Sequence, residues 1–443
     1  MIKTEPDIQV GILSAKEIRF HLSGLFHVYA TPAHLGSGNL LEDLSSGDHD
    51  VEIRGGLLLW KGGTYMSLRF QPQRPEDTFY LEDVTIGKDF HWQRQEQERF
   101  WGSLKLIVKE DQITAINTLP LERYLECVIS SEMSANAHLE LLKAHAIISR
   151  SWLLAQILHK SDSQESCLEQ IPGGWKRWYN HTSHQDFDVC ADDHCQRYQG
   201  ISRIQNDKAR EAVRQTYGKV LMHQGAICDA RYAKCCGGKS EIFSACWQDE
   251  NPKYLQAVRD DKDESPTLDL SQEENAKKWI LDRPGAFCAT RDKAVLSQIL
   301  NSYDQETEDF YRWSVTYYQE ELSGLIHRKS GVDIGLLMDL KPLKRGESGR
   351  IELLQIIGSK TSLTIGKELE IRRILSTSHL KSSAFIIETG QDEKGRTFTL
   401  KGAGWGHGVG LCQIGAAMMA LEGYSHENIL SHYYKSATLE QLY

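Results

Sequence analysis

The chain of 443 residues is 40% hydrophobic and carries a formal net charge of -10. This length and apolar content are enough to bury one large core or two medium ones, so a disordered chain is not expected. With 61 acidic against 51 basic residues, the sequence lacks the overall positive charge of proteins that bind nucleic acids or anionic membranes. We therefore expect an uncharged or polar substrate and no nucleic-acid partner.

The sequence shows neither a transmembrane segment nor a secretory signal. No run of about 18 apolar residues occurs in it. The segment that starts at Met1 lacks the basic and apolar regions of a signal peptide. The ten cysteines are scattered along the chain and leave the redox compartment undecided.

The start of the chain is typical of strands and turns. Residues 8–13 and 18–22 have the pattern of short strands. Apolar residues later alternate along a strand that leads into a hairpin at Glu110-Asp111. The sequence therefore predicts a β-rich region over residues 1–100.

A helix with one buried face is predicted to begin at Pro120. Its apolar residues follow helical spacing at Leu121, Tyr124, Leu125, Val128 and Ile129. Glu132 lies eleven positions after Leu121 and returns to nearly the same face, at about 100° per residue. Burial there disfavours the charged form of the carboxyl group, which suits a general acid. The alternative is a solvated glutamate at a helix end. A second helix is predicted over residues 138–159.

The polar segment from about 160 to 200 contains a dense group of metal-ligand side chains. Two imidazoles and two thiols lie within a dozen residues, at His184, Cys190, His194 and Cys195. Zinc accepts this ligand set in a tetrahedral structural site, although the spacing is not that of a common zinc finger. A disulfide between Cys190 and Cys195, with exposed histidines, is the alternative. Either arrangement would hold the long segment together.

Two glycine-rich motifs could bring the backbone close to a ligand. Gly237-Gly238-Lys239-Ser240 precedes Trp247, whose ring is either a sugar-stacking face or part of the core. Near the end of the chain, glycine occupies every other position from 404 to 410, with Trp405 and His407 between the glycines. This run fits neither a phosphate loop nor a dinucleotide fingerprint. A tight strand-to-helix turn with a structurally bonded histidine is the alternative.

Taken together, the motifs resemble the SpoIID/LytB family of bacterial cell-wall proteins. The matching segments are 119–125, Ser131-Glu132-Met133, 142–146 with 149–151, Gly237-Gly238-Lys239-Ser240, Gly349-Arg350, 404–410 and 413–416. They run in order over most of the chain from about residue 100 onward. Cys235-Cys236 and Cys412 depart from the pattern, because many members carry hydroxyl residues there.

The resemblance implies that Glu132 occupies the position of the family's catalytic glutamate. SpoIID-type members cleave the bond between N-acetylmuramic acid (MurNAc) and N-acetylglucosamine (GlcNAc) without water and leave a 1,6-anhydro sugar. One carboxyl group would act first as acid and then as base, so the reaction needs no second carboxylate, unlike ordinary glycoside hydrolysis. No cofactor is expected for catalysis.

The resemblance also implies further roles. The positions assigned to substrate binding or to orientation of the glutamate are Arg150, Gly237, Gly238, Lys239, Trp405, Gly406, His407 and Gln413. The Cys/His group is similar to a structural zinc site that some members have and others lack. The expected partner is the peptidoglycan glycan strand, and the expected location is the cell envelope.

Two other functions compete with this interpretation. LytB-type relatives are regarded as cell-wall binding proteins that enhance a separate amidase, which would then be a partner. A hydrolase that uses the Cys/His group as a catalytic metal centre is the second alternative.

The fold expected from these patterns is α+β, with mixed sheets and a helical pair that carries Glu132. Beside the β-rich region over 1–100, we expect a SpoIID-like catalytic domain over 101–443. This domain would contain insertions at about 160–200 and 260–345.

Overall fold

The computed structural model describes residues 2–32, 39–88, 93–134, 136–159, 167–179, 184–263, 268–300 and 309–443, without the side chains of His159, Ala294, Gln298 and Ile299. Parts of both expected insertions therefore lie outside the described residues. The chain divides into two compact units, which we call unit 1 (residues 1–135, 181–219 and 441–443) and unit 2 (residues 136–180 and 220–440). The domain boundary predicted near residue 100 falls inside unit 1.

The strands are β1 (Asp7–Ala15), β2 (Glu17–Ser23), β3 (Phe26–Pro32), β4 (Asn39–Leu44), β5 (Gly47–Arg54), β6 (Leu57–Trp60), β7 (Gly63–Pro72), β8 (Thr78–Ile86), β9 (Arg94–Trp101), β10 (Ser103–Lys109), β11 (Gln112–Pro120), β12 (Leu168–Ile171), β13 (Gly174–Arg177), β14 (Val189–Cys190), β15 (Lys219–His223), β16 (Ala226–Ile227), β17 (Tyr232–Ala233), β18 (Arg312–Tyr318), β19 (Leu337–Arg345), β20 (Ile351–Gly358), β21 (Ser362–Gly366), β22 (Phe385–Asp392), β23 (Gly395–Ala403), β24 (Leu411–Cys412) and β25 (Thr438–Gln441).

The α-helices are α1 (Leu121–Glu132), α2 (Leu139–His159), α3 (Lys208–Gln215), α4 (Glu273–Asp282), α5 (Lys293–Ile299), α6 (Gln319–Ser330), α7 (Glu368–Ile374), α8 (Gln413–Leu421) and α9 (His426–Tyr433). Short 3-10 helices occupy Gly200–Arg203 and Phe243–Ala245.

Unit 1 is built on one large sheet, which confirms the β-rich start of the chain. Its strand order is β14-β1-β11-β10-β7-β6-β5-β2-β8-β9, and β3 pairs with β4 and β7. Along β2, buried residues alternate with more exposed ones, as period-two strands with one covered face require. The predicted hairpin joins β10 to β11, and its turn residues Glu110 and Asp111 have φ of 50° and 57°.

Helix α1 follows β11 and carries the predicted apolar stripe. The helix begins at Leu121, with Pro120 as the N-cap, one position later than the sequence analysis placed its start. Glu132 is its last residue, as predicted. The helix packs against α3 and the 3-10 helix Gly200–Arg203, which bury almost its whole length.

Unit 2 combines helices with smaller sheets. Strands β12-β13-β21-β20-β19 form one sheet, and β18-β23-β22 form another. Helices α6 and α7 lie among these strands, and residues such as Leu322, Ile326 and Ile371 enter a shared apolar core from them. The stretch expected as an insertion at about 260–345 contributes α4, which buries Trp279. The mixed content of strands and helices confirms the α+β fold.

Among the described residues, no helix is long and apolar enough to span a membrane.

Asn117 on β11 is a buried polar junction of unit 1. Its amide nitrogen donates to the carbonyl oxygens of Trp101, at 2.8 Å, and Ser103, at 3.1 Å. Its amide oxygen accepts a hydrogen bond from the Tyr198 hydroxyl at 2.5 Å. One side chain therefore satisfies two strand carbonyls and a buried phenol.

Replacing Asn117 by leucine should destabilise the protein by about 2–4 kcal/mol, because buried polar groups lose their partners. Urea denaturation of the purified chain measures the change. The exposed Asn39→Leu variant is the control and should stay within about 0.5 kcal/mol of the wild type. Equal stability of the two variants would contradict the assigned role of Asn117.

Candidate functional site

Glu132 ends α1 with 8% of its surface exposed. Its Oε1 atom accepts a hydrogen bond from the backbone N–H of Arg197 at 3.2 Å. Because this donor belongs to the main chain, its direction is set by the fold and not by a side-chain rotamer. The carboxyl group is thus held at the end of the buried stripe.

The segment Cys195–Gln199, which we call the tether, fastens α1 at several further points. Gln196 Oε1 accepts a hydrogen bond from the Tyr124 hydroxyl at 3.2 Å, and the Tyr198 ring stacks on Tyr124 with centroids 5.1 Å apart. The backbone N–H of Gln199 donates to the Ser131 hydroxyl at 3.1 Å. The tether therefore contacts the last three turns of the helix that carries Glu132.

The four side chains of the predicted Cys/His group come together immediately before and at the start of the tether. The ligand atoms of His184, Cys190, His194 and Cys195 all lie within 4.8 Å of one another. His194 Nδ1 is 4.0 Å from the Cys190 sulfur and 3.6 Å from the Cys195 sulfur. All ten cysteines of the chain are free thiols, so the alternative of a Cys190–Cys195 disulfide is not what the structure shows.

The group has the chemistry of a zinc site. Two sulfurs and two imidazoles match a closed tetrahedral set. His184 Nε2 is buried and makes no hydrogen bond within the described part of the chain, so it is available as a ligand. A hydrogen bond from Cys195, followed by those of the imidazoles, holds the pKa of the Cys190 thiol well below its usual range, against the effect of burial. A thiolate is the form that binds metal.

Main-chain contacts join this group to the sheet of unit 1. Strand β14 pairs with β1, with Val189 opposite Val10 and Cys190 opposite Gly11. A Cβ on Gly11 would lie 2.5 Å from the Phe187 ring, which explains the glycine at that position. The Cys/His group is therefore built on the rigid part of the unit.

In unit 2, the glycine run surrounds a buried arginine. The Arg350 guanidinium donates to the carbonyl oxygens of Gly406, at 3.1 Å, and Cys236, at 3.2 Å. A Cβ on Gly408 would lie 2.4 Å from Arg350 Cζ, and the φ of Gly408 is 75°. Because Gly408 has no side chain, the Arg350 guanidinium packs directly against its backbone. The sequence analysis had considered a ligand for such a close approach.

His407 is held as a neutral hydrogen-bond donor. Its Nδ1 atom accepts the backbone N–H of Val409 at 3.0 Å, which leaves the proton on Nε2. Burial, followed by the charges of Arg231 and Arg350, lowers the pKa of His407 well below its usual value. The ring meets Trp247 edge to face at 5.0 Å between centroids.

Gln413, at the start of α8, pairs with His145 of α2. Their Nε2 atoms are 3.1 Å apart, so the amide must donate and the imidazole must accept. The other ring nitrogen then carries the proton and donates to the Ser149 hydroxyl at 3.1 Å. Burial lowers the pKa of His145 to about 3, which keeps the ring neutral.

The Gly237-Gly238 pair is packed against protein. Both residues have positive φ, at 83° and 105°. A Cβ on Gly237 would come within 2.9 Å of the Gly404 nitrogen, and one on Gly238 within 3.0 Å of the Trp279 ring. Lys239, next in the chain, is half-buried.

The last two residues of the expected set differ in exposure. Arg150 is fully buried in α2, and its guanidinium donates to the carbonyl oxygen of Ala146 at 3.5 Å. Trp405 is half-buried, and its ring lies 5.0 Å from the Phe310 ring and 5.3 Å from Lys381 Nζ.

Three residues with positional roles escaped the sequence analysis. Tyr124 was read as one more apolar stripe residue, and nothing in the local sequence marks Arg197 as a backbone donor. Arg350 was noted as part of a motif, but its contacts with the glycine run are 56 residues away in sequence. For Arg350, the only available signal was that a glycine run can pack around a buried cation.

Comparisons with known proteins agree with the motifs. Residues 109–223 match the family model of the stage II sporulation protein, SpoIID, and residues 241–410 match a domain of unknown function, DUF8618. The chain is 26% identical over 323 residues to the amidase enhancer of Bacillus subtilis, which covers 71% of the chain and 40% of that protein. It is 24% identical over 327 residues to stage II sporulation protein D of Bacillus amyloliquefaciens, covering 74% of the chain and 76% of that protein. The chain thus spans less than half the length of the amidase enhancer.

The buried neutral state of His145 predicts a pH effect on stability. Its pKa falls from 6.5 to about 3 on folding, so the unfolded chain takes up the proton first as the pH falls. Stability is therefore lost as the pH drops below 6.5. Between pH 7 and 5, the wild type should lose about 2 kcal/mol more unfolding free energy than His145→Gln. Urea denaturation at both pH values measures this, with the exposed His327→Gln as control. A His145→Gln slope equal to that of the wild type would contradict the assignment.

Proposed function

Since this chain belongs to the SpoIID family, which is linked to cell-wall processing, we propose that it is a peptidoglycan lytic transglycosylase acting in the cell envelope. It would cleave the MurNAc–GlcNAc bond of glycan strands and form 1,6-anhydro-MurNAc. The observation that carries the proposal is the fixed, mostly buried carboxyl group of Glu132, held by the Arg197 backbone N–H.

The proposed reaction needs one carboxyl group. Protonated Glu132 gives its proton to the glycosidic oxygen as the bond from that oxygen to C1 of MurNAc breaks. The O6 hydroxyl of the same MurNAc then closes on C1, and the Glu132 carboxylate takes the O6 proton. The group returns to its starting form, and no water is consumed.

The fixed orientation of Glu132 supports this sequence. One group must reach the glycosidic oxygen and then O6, so a rotating side chain would lose much of the advantage of proximity. The Arg197 N–H and the tether contacts limit that rotation.

The other residues implied by the family resemblance fall into two groups, with half-buried or with buried side chains. The half-buried side chains of Lys239, Trp405 and His407 are our candidates for contact with the glycan. The buried members, which are Arg150, Gly237, Gly238 and Gln413, would act by holding the surrounding backbone. Gly406, also in the proposed substrate set, binds Arg350 through its carbonyl.

We assign the Cys/His group to a structural zinc ion, with no cofactor in the reaction itself. His184, Cys190, His194 and Cys195 would fill the four positions of a tetrahedral ion and leave none for substrate. The ion would cross-link the segment from His184 to Cys195, which continues into the tether.

Enhancement of an N-acetylmuramoyl-L-alanine amidase is the second candidate function, and the likeness to the amidase enhancer favours it. In that case the chain would bind peptidoglycan and an amidase without cleaving glycan strands. Glu132 would then have no role in bond cleavage.

Glu132→Gln should lower the release of anhydro-muropeptides from purified sacculi at least 100-fold, since both proton transfers are lost. Mass spectrometry of the soluble products measures this, because an anhydro end and a reducing end differ by one water. Glu126→Gln, a half-helix away on α1, is the matched control and should keep wild-type activity.

Other outcomes separate the two candidate functions. Products from Glu132→Gln at the wild-type level would exclude Glu132 as the acid. If the wild type itself releases nothing but accelerates a purified amidase, the enhancer function replaces the lyase.

Removal of the zinc ligands should reduce stability before it affects chemistry. Cys190→Ser is expected to lower the melting temperature by about 5 °C or more, because zinc binding contributes to folding free energy. Cys167→Ser, at a half-buried cysteine outside the group, is the control. Activity per folded molecule should persist below the new melting temperature. Complete loss of activity in a fully folded variant would instead favour a catalytic metal.

A further inference from the structure

A second group of metal-ligand side chains lies in the interior of unit 2. The ligand atoms of Cys236, Asp260, Cys288 and Cys412 all lie within 4.8 Å of one another. The four residues come from separate parts of the chain, and each is at most 2% exposed. Three thiols and a carboxyl group rarely converge in a dry interior without a shared partner, since burial disfavours their charged forms.

The spacing of these atoms suits a tetrahedral ion. The sulfurs of Cys236 and Cys288 are 3.7 Å apart. Two thiolates bound at about 2.3 Å to a tetrahedral zinc ion would lie about 3.8 Å apart. All the cysteines are free, so no disulfide accounts for the approach.

The other two ligands are oriented by hydrogen bonds from backbone N–H groups and from a tyrosine hydroxyl. Asp260 accepts the Cys288 backbone N–H at 2.9 Å and the Tyr433 hydroxyl at 2.5 Å. Cys412 is the N-cap of α8, and its sulfur accepts backbone N–H groups from Cys236, at 3.2 Å, and Gly415, at 3.4 Å. Such contacts hold metal ligands in place and favour the thiolate.

We propose that Cys236, Asp260, Cys288 and Cys412 bind one zinc ion in a structural site separate from the Cys/His group. Thiolates with one carboxylate suit zinc, and four protein ligands in a closed interior leave no position for substrate. The ion would join the turn at Gly237 to the start of α8. It would thereby brace the backbone next to Gln413.

Metal analysis of the full-length chain tests this proposal. Purified without chelator, the wild type should contain two zinc ions per chain by mass spectrometry of the metal. The Cys190→Ser/Cys195→Ser variant should keep one ion, and Cys236→Ser/Cys288→Ser should lose one. Cys228→Ser, which removes a buried cysteine outside both groups, is the matched control and should keep the wild-type content.

Cobalt(II) identifies the ligands of the remaining ion. Loaded into the Cys190→Ser/Cys195→Ser variant, cobalt should give the intense visible bands of a tetrahedral site with thiolate charge transfer. If Cys236→Ser/Cys288→Ser does not fold, the first variant decides the matter alone. The proposal fails if that variant binds no metal, if it binds iron or copper in place of zinc, or if peptide mapping finds Cys236 and Cys288 joined as a disulfide.

Discussion

The hydrogen bond from the Arg197 backbone to Glu132 is the contact on which the proposed chemistry depends. A glutamate at the last residue of a helix has no intrinsic reason to keep one orientation, because helix ends fray. The tether removes that freedom through contacts with Tyr124 and Ser131. The tether begins at Cys195, a member of the Cys/His group. A metal ion there would therefore stabilise the segment that leads into the tether, without touching the reacting atoms.

Two histidines of unit 2 are held neutral. Burial lowers the pKa of both His145 and the half-buried His407, and the hydrogen bonds with Ser149 and Val409 define which nitrogen carries the proton. Neither ring is then suited to proton transfer near neutral pH. Both serve as fixed donors or acceptors.

The sequence predicted what local periodicity and spacing determine. The α1 stripe, the position of Glu132 at its end and the Cys/His group all follow from residues close together in the chain. Long-range contacts were beyond reach for a physical reason. The partner of Glu132 is a main-chain group, which any residue type supplies, and Arg350 contacts glycines whose role depends on the fold. The sequence analysis assigned no element to α6 or α7, because their short apolar runs suit a buried strand as well as a helix.

The cysteines that depart from the family pattern are explained by where they lie in the structure. Cys236 and Cys412 stand where many members carry hydroxyl residues, and each alone is a conservative change of one polar atom for another. Asp260 and Cys288 lie in the stretch expected as an insertion at about 260–345, yet both are buried beside those two sulfurs. Serine at 412 would satisfy the same backbone N–H groups of Cys236 and Gly415 but would bind zinc poorly. The thiols are therefore explained best as a set, and a set of four convergent ligands is what a metal ion requires.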